Sequence, residues 1–310
     1  MKNILITGVD GMIGGTLVRH ILSRTDWNVT GATFSEDLVE KMLKRERISA
    51  ENAARVRFLS NDVLTEQGTD LSGIDAAVHL AFSRRNCPAK DIAASIDFAS
   101  AVFRKLAASG TERVINLSSQ GVYGKAEEFR TEATPAAPET PYTMAKYAAE
   151  VIFRTHFDAS AVKDYTNLRL DPVVQSQNLV IALCKQAKQG TIQLRGGEQR
   201  FSFIDVEDAA AAIAAMLESP SGWEKAYNVG WNRRRYTLTE VAEHVADTTA
   251  RLGFGRPEIT LDRQDIVLWA GMDSSRFTAL TGWIPQTDLD GMIEKIFRNI
   301  SEQENENAER

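Results

Sequence analysis

Residues 7–15 read TGVDGMIGG. The apolar run Ile4-Leu5-Ile6 precedes them, and Leu17, Val18 and Ile21 follow at helical intervals. Gly8, Gly11 and Gly14 are evenly spaced. A strand, a GxxGxxG loop and a helix, in that order, bring an anion close to the backbone. Gly8 permits the tight turn, Gly11 lets a pyrophosphate approach, and Gly14 lets the helix pack on the sheet. The N–H groups at the helix start then face the anion. Asp10, Met12 and Ile13 complete the loop. A plain turn with close helix packing is the other reading of three glycines alone; the flanking strand and helix favour the phosphate cradle.

Outward from this loop, the first half of the chain alternates strand and helix patterns. Strands are expected at 3–7, 28–33, 55–59, 76–81 and 113–118, with helices at 13–23, 35–45 and 90–109. This alternation predicts an α/β fold, a doubly wound parallel sheet with right-handed crossovers. A Pro-rich loop, TPAAPETP (134–141), precedes a strong helix at 142–157. A further strand is expected at 167–170. Beyond it the pattern loosens, with helices at 178–189, 205–218, 238–250 and 288–300 and short strands at 191–194 and 226–229. Residues 1–165 read as a dinucleotide-binding unit, with returning segments at about 200–230. Residues 166–300 read mainly as a smaller, interleaved C-terminal substrate-binding unit. Residues 301–310 read as a polar tail that frays. GGEQR, WNRRR and GFGRP carry arginines on loop-like segments, suited to the second wall of a cleft beyond the strand ends.

Composition narrows the function. The chain has 310 residues, 43% of them hydrophobic, and a net charge of −6 from 36 basic and 42 acidic side chains. That balance argues against nucleic-acid or membrane-surface binding, and Arg233-Arg234-Arg235 is too short to form a basic patch. No apolar stretch approaches a membrane span, and the start MKNILITG does not resemble a signal peptide. Cys87 and Cys184 are far apart and lack metal-like spacing, which suits a reducing cytoplasm. His79 falls on a buried strand and reads as core. His20, His156 and His244 show no partner pattern, so no metal is expected.

The second strand ends near where an adenosine ribose would lie. A carboxylate there favours NAD, but the sequence has Thr33-Phe34-Ser35. No adjacent arginine awaits a 2′-phosphate, so NAD and NADP both stay open. Asp62, in SNDV (60–63), either accepts from the adenine amino group or caps a turn. Tyr142 and Lys146 are four apart at a helix start and share a face. An ammonium beside a phenol lowers its pKa from about 10 toward the range of a useful base. Ser119, at the end of the fifth strand, is placed to hydrogen-bond the same substrate oxygen.

These segments together resemble the extended short-chain dehydrogenase/reductase family, specifically its NAD(P)-dependent nucleotide-sugar epimerase/dehydratase group. TGVDGMIGG is similar to TGxxGxxG, HLAF (79–82) to HLAA, and LSSQGVYG (117–124) to SSxxVYG. Tyr142 and Lys146 match the YxxxK pair. GGEQRFSFIDVEDAA (196–210), YNVG (227–230) and LTGWIPQTDLDGM (280–292) follow in order, so the resemblance covers nearly the whole chain. It implies a Rossmann-type fold and places Ala81 beside the nicotinamide, with Leu80, Phe82 and Val63 also lining the cofactor. It implies Ser119, Tyr142 and Lys146 as catalytic residues. Ser83, Gln120, Asn178, Arg200 and Arg263 are the implied contacts to a nucleotide-sugar-like substrate. Arg200 would grip the diphosphate and Arg263 would add a second grip, the other reading of each being a solvated loop cation.

Three departures carry expectations of their own. The family often opens the helix before the fifth strand with asparagine; Ser95 and Asp97 are the nearest candidates here. LDPVVQSQN (170–178) lacks the family's glycine-containing loop, and Asp171 stands near the usual asparagine. Gln120-Gly121 replaces the Asp-Glu of dehydratases, which disfavours dehydration. The resemblance thus implies oxidoreduction at a sugar hydroxyl or ketone. An epimerase working through a keto intermediate leads, a 4-ketoreductase or dehydrogenase comes next, and a non-catalytic NAD(P) redox sensor last. It further implies a homodimer through the helices at 90–109 and 142–157, whose alanines Ala93, Ala94, Ala145, Ala148 and Ala149 either permit close packing there or face the sheet. Asp205 and Asp208 read as caps and Trp283 as core.

Overall fold

The structure, a computed structural model, describes residues 2–125, 128–231 and 235–308. Seven strands form one parallel sheet: β1 (Asn3–Thr7), β2 (Asn28–Thr33), β3 (Val56–Ser60), β4 (Ala76–His79), β5 (Arg113–Ser119), β6 (Asp164–Leu170) and, later in the chain, β9 (Ala226–Val229). Between β6 and β9 come β7 (Thr191–Arg195) and β8 (Arg200–Phe201); β10 (Tyr236–Thr237) and β11 (Glu258–Asp262) come last. The central order is β3-β2-β1-β4-β5-β6-β9, while β8 pairs with β10 and β7 with β11. The strand order reverses between β1 and β4, and the glycine loop and HLAF leave from those two strands. A doubly wound sheet binds ligands at such a reversal.

The helices are α1 (Met12–Arg24), α2 (Glu36–Arg45), α3 (Ala50–Ala53), α4 (Asn61–Thr65), α5 (Ala89–Ala108), α6 (Pro141–Phe157), α7 (Asn178–Lys188), α8 (Val206–Glu218), α9 (Leu238–Arg251), α10 (Ser275–Thr281) and α11 (Leu289–Ala308). One face of the sheet is covered by α1 and α8, around Ile4, Ile6, Leu17, Ile21, Ile213 and Leu217. The other is covered by α5 and α6, where Phe103, Phe153, Phe157 and Tyr165 pack together. Truncating one such fully buried phenylalanine to alanine costs about 3–5 kcal/mol. A separate core joins α7, α9 and α11 to β7.

Several boundaries differ from the sequence reading, each for a local reason. Helix α6 starts at Pro141, which occupies the first turn, where its missing N–H costs nothing. Thr140 caps that helix and exchanges hydrogen bonds with Thr143. Strand β4 ends at His79, before residues 80 and 81, because the N–H groups of Leu80 and Ala81 turn to the Thr7 hydroxyl. The tail expected to fray instead continues α11 to Ala308, and Lys188 pairs with Glu304 across it. The short β8, β10 and β11 and the helix α10 carry patterns too brief to read. His244, expected to lack a partner, has its Nδ1 2.6 Å from Asp290 Oδ1. Of the WNRRR arginines, Arg233 and Arg234 lie outside the described residues.

Candidate active site

The glycine loop is tight because the strands on both sides crowd it. Gly8 has φ +68°, and a Cβ there would lie 2.9 Å from the Ala81 backbone. A Cβ on Gly14 would stand 2.3 Å from Gly8 O. The Gly8 N–H donates to Ala32 O at 2.9 Å, which ties the loop to β2. Gly11 is the N-cap of α1 and offers no side chain to the first-turn N–H groups. A backbone cradle that side chains would fill, at an uncapped helix start on the strand reversal, suits the pyrophosphate of a dinucleotide.

One side chain that local patterns hid, Arg45, completes this edge. Arg45, at the end of α2, donates to Asp10 O at 2.9 Å and to Gly11 O at 3.0 Å. A Cβ on Gly15 would collide with that guanidinium at 2.4 Å, so the fourth glycine makes room for it. Sequence spacing does not bring Arg45 to this loop, because it is 34 residues from Gly11. Asp10 Oδ1 accepts from the Thr33 hydroxyl at 2.6 Å. Met12 and Ile13 open α1, half-buried. At the end of β3 the cap is Ser60, whose Oγ accepts from Val63 N at 3.2 Å. The capping alternative for Asp62 therefore falls, and its carboxylate is exposed beside the exposed Val63.

The second part of the site lies beyond β4 and β5. Tyr142, in the first turn of α6, walls a cavity of about 270 Å³ together with Arg85, Cys87, Ala89, Ile92, Thr140 and Pro141. Phe82 meets Tyr142 edge to face, ring centres 6.1 Å apart. Lys146 is buried; its Nζ donates to Leu117 O at 2.8 Å and lies 4.1 Å from the centre of the Phe82 ring. Burial holds this ammonium down to about 7, with Glu150 acting in the opposite direction.

The expected lowering of the Tyr142 phenol by Lys146 is corrected here. Burial pushes the phenol up to about 12, and the charge that opposes this is Arg85. The physical reason is that Lys146 turns to Leu117 O and the Phe82 face. Spacing by four puts two side chains on one helix face but does not decide which neighbour each takes. Ser119 Oγ accepts from Gly121 N at 3.1 Å at the end of β5. His79 is buried with its Nδ1 2.9 Å from Thr7 Oγ1, and burial, then Lys146, lowers it to about 3.

Beneath the site runs a buried polar chain. Ser118 donates to Glu150 at 2.5 Å, and Arg169 pairs with Glu150 at 2.7 Å. Arg169 also donates to the Tyr123 hydroxyl at 2.8 Å, which in turn donates to Asn228 Oδ1 at 2.7 Å. The network joins β5, α6, β6 and β9. It fixes the strand end bearing Ser119 relative to the helix bearing Tyr142.

The expected substrate contacts scatter. Ser83 N donates to Ser95 Oγ at 2.9 Å, so Ser95 anchors the loop after β4. Gln120 is buried, and its Oε1 accepts from Gly271 N at 3.0 Å. Asp171 is buried, accepting from Ser202 Oγ at 2.5 Å and Trp231 N at 3.1 Å. Asn178 is exposed at the start of α7. Arg200 is exposed on β8, its guanidinium 5.1 Å from the Trp269 ring centre. Arg263 lines a different groove with Glu198, Glu240, Glu243 and Asp247, the last two of which pair with Arg256. Asp205 caps α8 through Glu207 N, and Asp208 accepts from Gln286 N and Thr287 N, both at 2.9 Å. Of the alanines considered for a dimer face, Ala145 and Ala149 are spent in the chain's own core, whereas Ala93 and Ala94 are exposed.

Comparison with known proteins agrees with this architecture. The profile of the family described as "NAD dependent epimerase/dehydratase family" matches residues 4–230. A UDP-glucose 4-epimerase of Mycolicibacterium smegmatis is 28% identical over 324 aligned residues, covering 96% of this chain and 99% of that protein. A dTDP-4-dehydro-6-deoxyglucose reductase of Escherichia coli is 26% identical, covering 96% and 98%. Among solved structures, a UDP-glucuronic acid 4-epimerase of Bacillus cereus, in complex with UDP-glucuronic acid and NAD, superposes with TM-score 0.79 at 18% identity, covering 97% and 99%.

Proposed function

The chain belongs to the NAD dependent epimerase/dehydratase family, and from that premise we propose that it is a nucleotide-sugar epimerase acting through a keto intermediate. The observation that carries this reading is Tyr142 on the wall of a cavity of about 270 Å³, lined also by Arg85 and Cys87 of the loop leaving β4, the loop whose Ala81 backbone lies against Gly8. A nicotinamide dinucleotide would be held by the glycine loop, Thr33 and the 80–82 segment, and would accept and return hydride at the sugar carbon. Tyr142 takes the hydroxyl proton as the carbonyl forms and gives it back on reduction. It does so as the phenolate, which burial disfavours and the nearby Arg85 charge favours. Ser119 Oγ hydrogen-bonds the oxygen on which charge develops. Lys146 places a cation behind Phe82. The portion beyond residue 166, with Arg200 exposed beside Trp269, binds the nucleotide diphosphate.

A second reading, a 4-ketoreductase using the same residues in one direction, is supported by the likeness to the Escherichia coli reductase. Dehydration is disfavoured because Gln120 and Gly121 supply no carboxylate after Ser119. The presence of Ser119, Tyr142 and Lys146 together, with Tyr142 on the cavity wall, also weighs against a non-catalytic sensor. Exposed Met144 and Val151 on α6, together with exposed Ala93 and Ala94 on α5, support a homodimer through these helices. Two unpaired cysteines suit a cytoplasmic location.

The test is to denature the purified protein, identify released dinucleotide by mass, and assay UDP- and dTDP-hexoses for C4 inversion. Tightly retained cofactor with inversion and no net redox change supports the epimerase. Stoichiometric consumption of reduced dinucleotide by a 4-keto sugar supports the reductase. Neither activity across both panels would overturn the proposal.

A further inference from the structure

Strand β2 ends in Thr33, followed by Phe34, 81% exposed, and Ser35. None is acidic, so the strand end lacks the carboxylate that ordinarily reads an adenosine ribose. A carboxylate nevertheless stands there. Asp10 reaches across from the glycine loop, and its Oδ1 accepts from Thr33 Oγ1 at 2.6 Å. Thr33 is 1% exposed, whereas Asp10 is half-buried, so the pair joins a buried hydroxyl to a carboxylate that solvent still reaches. The loop cannot swing away readily, because Gly8 N and Val9 N both donate to Ala32 O, at 2.9 and 3.4 Å.

The nearest cation is already engaged. Arg45 donates through Nη1 to Asp10 O at 2.9 Å, through Nη2 to Gly11 O at 3.0 Å and through Nε to Glu46 at 2.9 Å. Glu46 also pairs with Arg19 at 3.2 Å. The guanidinium therefore braces loop carbonyls and carries its own counter-charge, an arrangement poorly suited to gripping a further phosphate.

We propose that Asp10, oriented by Thr33, accepts a hydrogen bond from the adenosine 2′-hydroxyl and excludes a 2′-phosphate, making the protein selective for NAD(H) over NADP(H). The determinant sits in the glycine loop and not at the end of β2. An ionised carboxylate accepts only, so it suits a hydroxyl donor; against a phosphate dianion it offers repulsion and no proton. This inference rests on the dinucleotide site proposed above.

Binding, not turnover, tests it. NADH and NADPH are titrated by fluorescence into the intact protein, the Asp10→Asn and Asp10→Ser variants, and Thr33→Val. Asp10→Asn keeps an acceptor for Thr33 while removing the charge, so it reports on charge even if Asp10→Ser disturbs the loop; thermal melts check folding. The wild type is expected to bind NADH at least about 100-fold tighter than NADPH, and Asp10→Asn to shrink that ratio at least about tenfold, corresponding to about 1.4 kcal/mol. Thr33→Val is expected to fall between them. Equal or tighter NADPH binding by the wild type, or an unchanged ratio in a folded Asp10→Asn protein, overturns the assignment of Asp10 alone. Binding of neither dinucleotide by the wild type overturns the dinucleotide site itself.

Discussion

Lys146 Nζ lies 4.1 Å from the centre of the Phe82 ring. The ring faces the ammonium and presents its edge contact to Tyr142, so one aromatic side chain stands against both members of the YxxxK pair. A cation over a desolvated aromatic face is worth about 1–2 kcal/mol, yet the same burial disfavours the charge. The net result is an ammonium held down to about 7.

Phe82→Ala admits water to this ammonium. Loss of desolvation outweighs loss of the ring face, so the Lys146 pKa is expected to rise toward 10.5, its ordinary value. Carbon-13 NMR of reductively methylated lysines, followed against pH, reads the change directly. A resonance still titrating near neutrality in the variant would contradict this account of the ring.

Tyr142→Phe removes the group that carries the proton and little else, since the ring keeps its contact with Phe82. Turnover on a nucleotide sugar is expected to fall by about 10²–10⁴-fold, the usual range for a general acid–base residue. Dinucleotide affinity, measured by calorimetry, is expected to change less than about threefold, well under 1 kcal/mol. A variant that retains turnover would remove Tyr142 from the chemistry.

Arg85 is the cation that acts on the phenol, and it is exposed. Arg85→Ala therefore moves Tyr142 further up, and the rise of kcat/KM with pH shifts to higher pH. Because salt screens an exposed charge, the loss at neutral pH is expected to stay under about tenfold and to shrink at high ionic strength. Rate–pH profiles at two salt concentrations check both directions.

Glu150 and Arg169 form a buried pair at 2.7 Å, with Ser118 and Tyr123 as further partners. Glu150→Gln leaves a buried guanidinium uncompensated and is expected to cost about 3–5 kcal/mol. Replacing both members with apolar residues, Glu150→Leu with Arg169→Met, is expected to cost less than the single change. Urea unfolding of the three proteins decides the order.

Asp171 titrates unusually because burial raises it from 3.8 to about 6, against the Ser202 and Trp231 hydrogen bonds. A raised carboxyl binds its proton more tightly folded than unfolded. Its contribution is greatest below pH 3.8 and declines as pH rises through about 6, a difference corresponding to about 3 kcal/mol. Asp171→Asn lacks this loss. The stability of the variant relative to wild type is therefore expected to improve between pH 4 and pH 7, as read from chemical unfolding at each pH.

Much of the fold was legible in the residues. The parallel sheet follows from strand and helix periods alternating over 3–118, and the cradle from glycines at 8, 11 and 14 between them. The order of HLAF, LSSQGVYG and the Tyr142/Lys146 pair pointed to the candidate site. Less legible were groups whose roles depend on partners distant in the chain. Asp205 kept its capping role, but Asp208 proved to hold Gln286 and Thr287. Arg263, read as a second diphosphate grip, lines a groove apart from the Tyr142 cavity.

The division has a physical cause. Backbone sterics and hydrophobic burial act at periods of two or 3.6 residues, so local order is written into the chain itself. By itself the sequence determined the strand–glycine loop–helix unit, the sheet and the presence of Ser119, Tyr142 and Lys146. Tertiary structure alone decided that Lys146 turns to Phe82, that Arg85 faces the phenol, and that Asp10 meets Thr33. Those outcomes depend on desolvation and charge–charge distance, which are set only when segments far apart in sequence pack against one another.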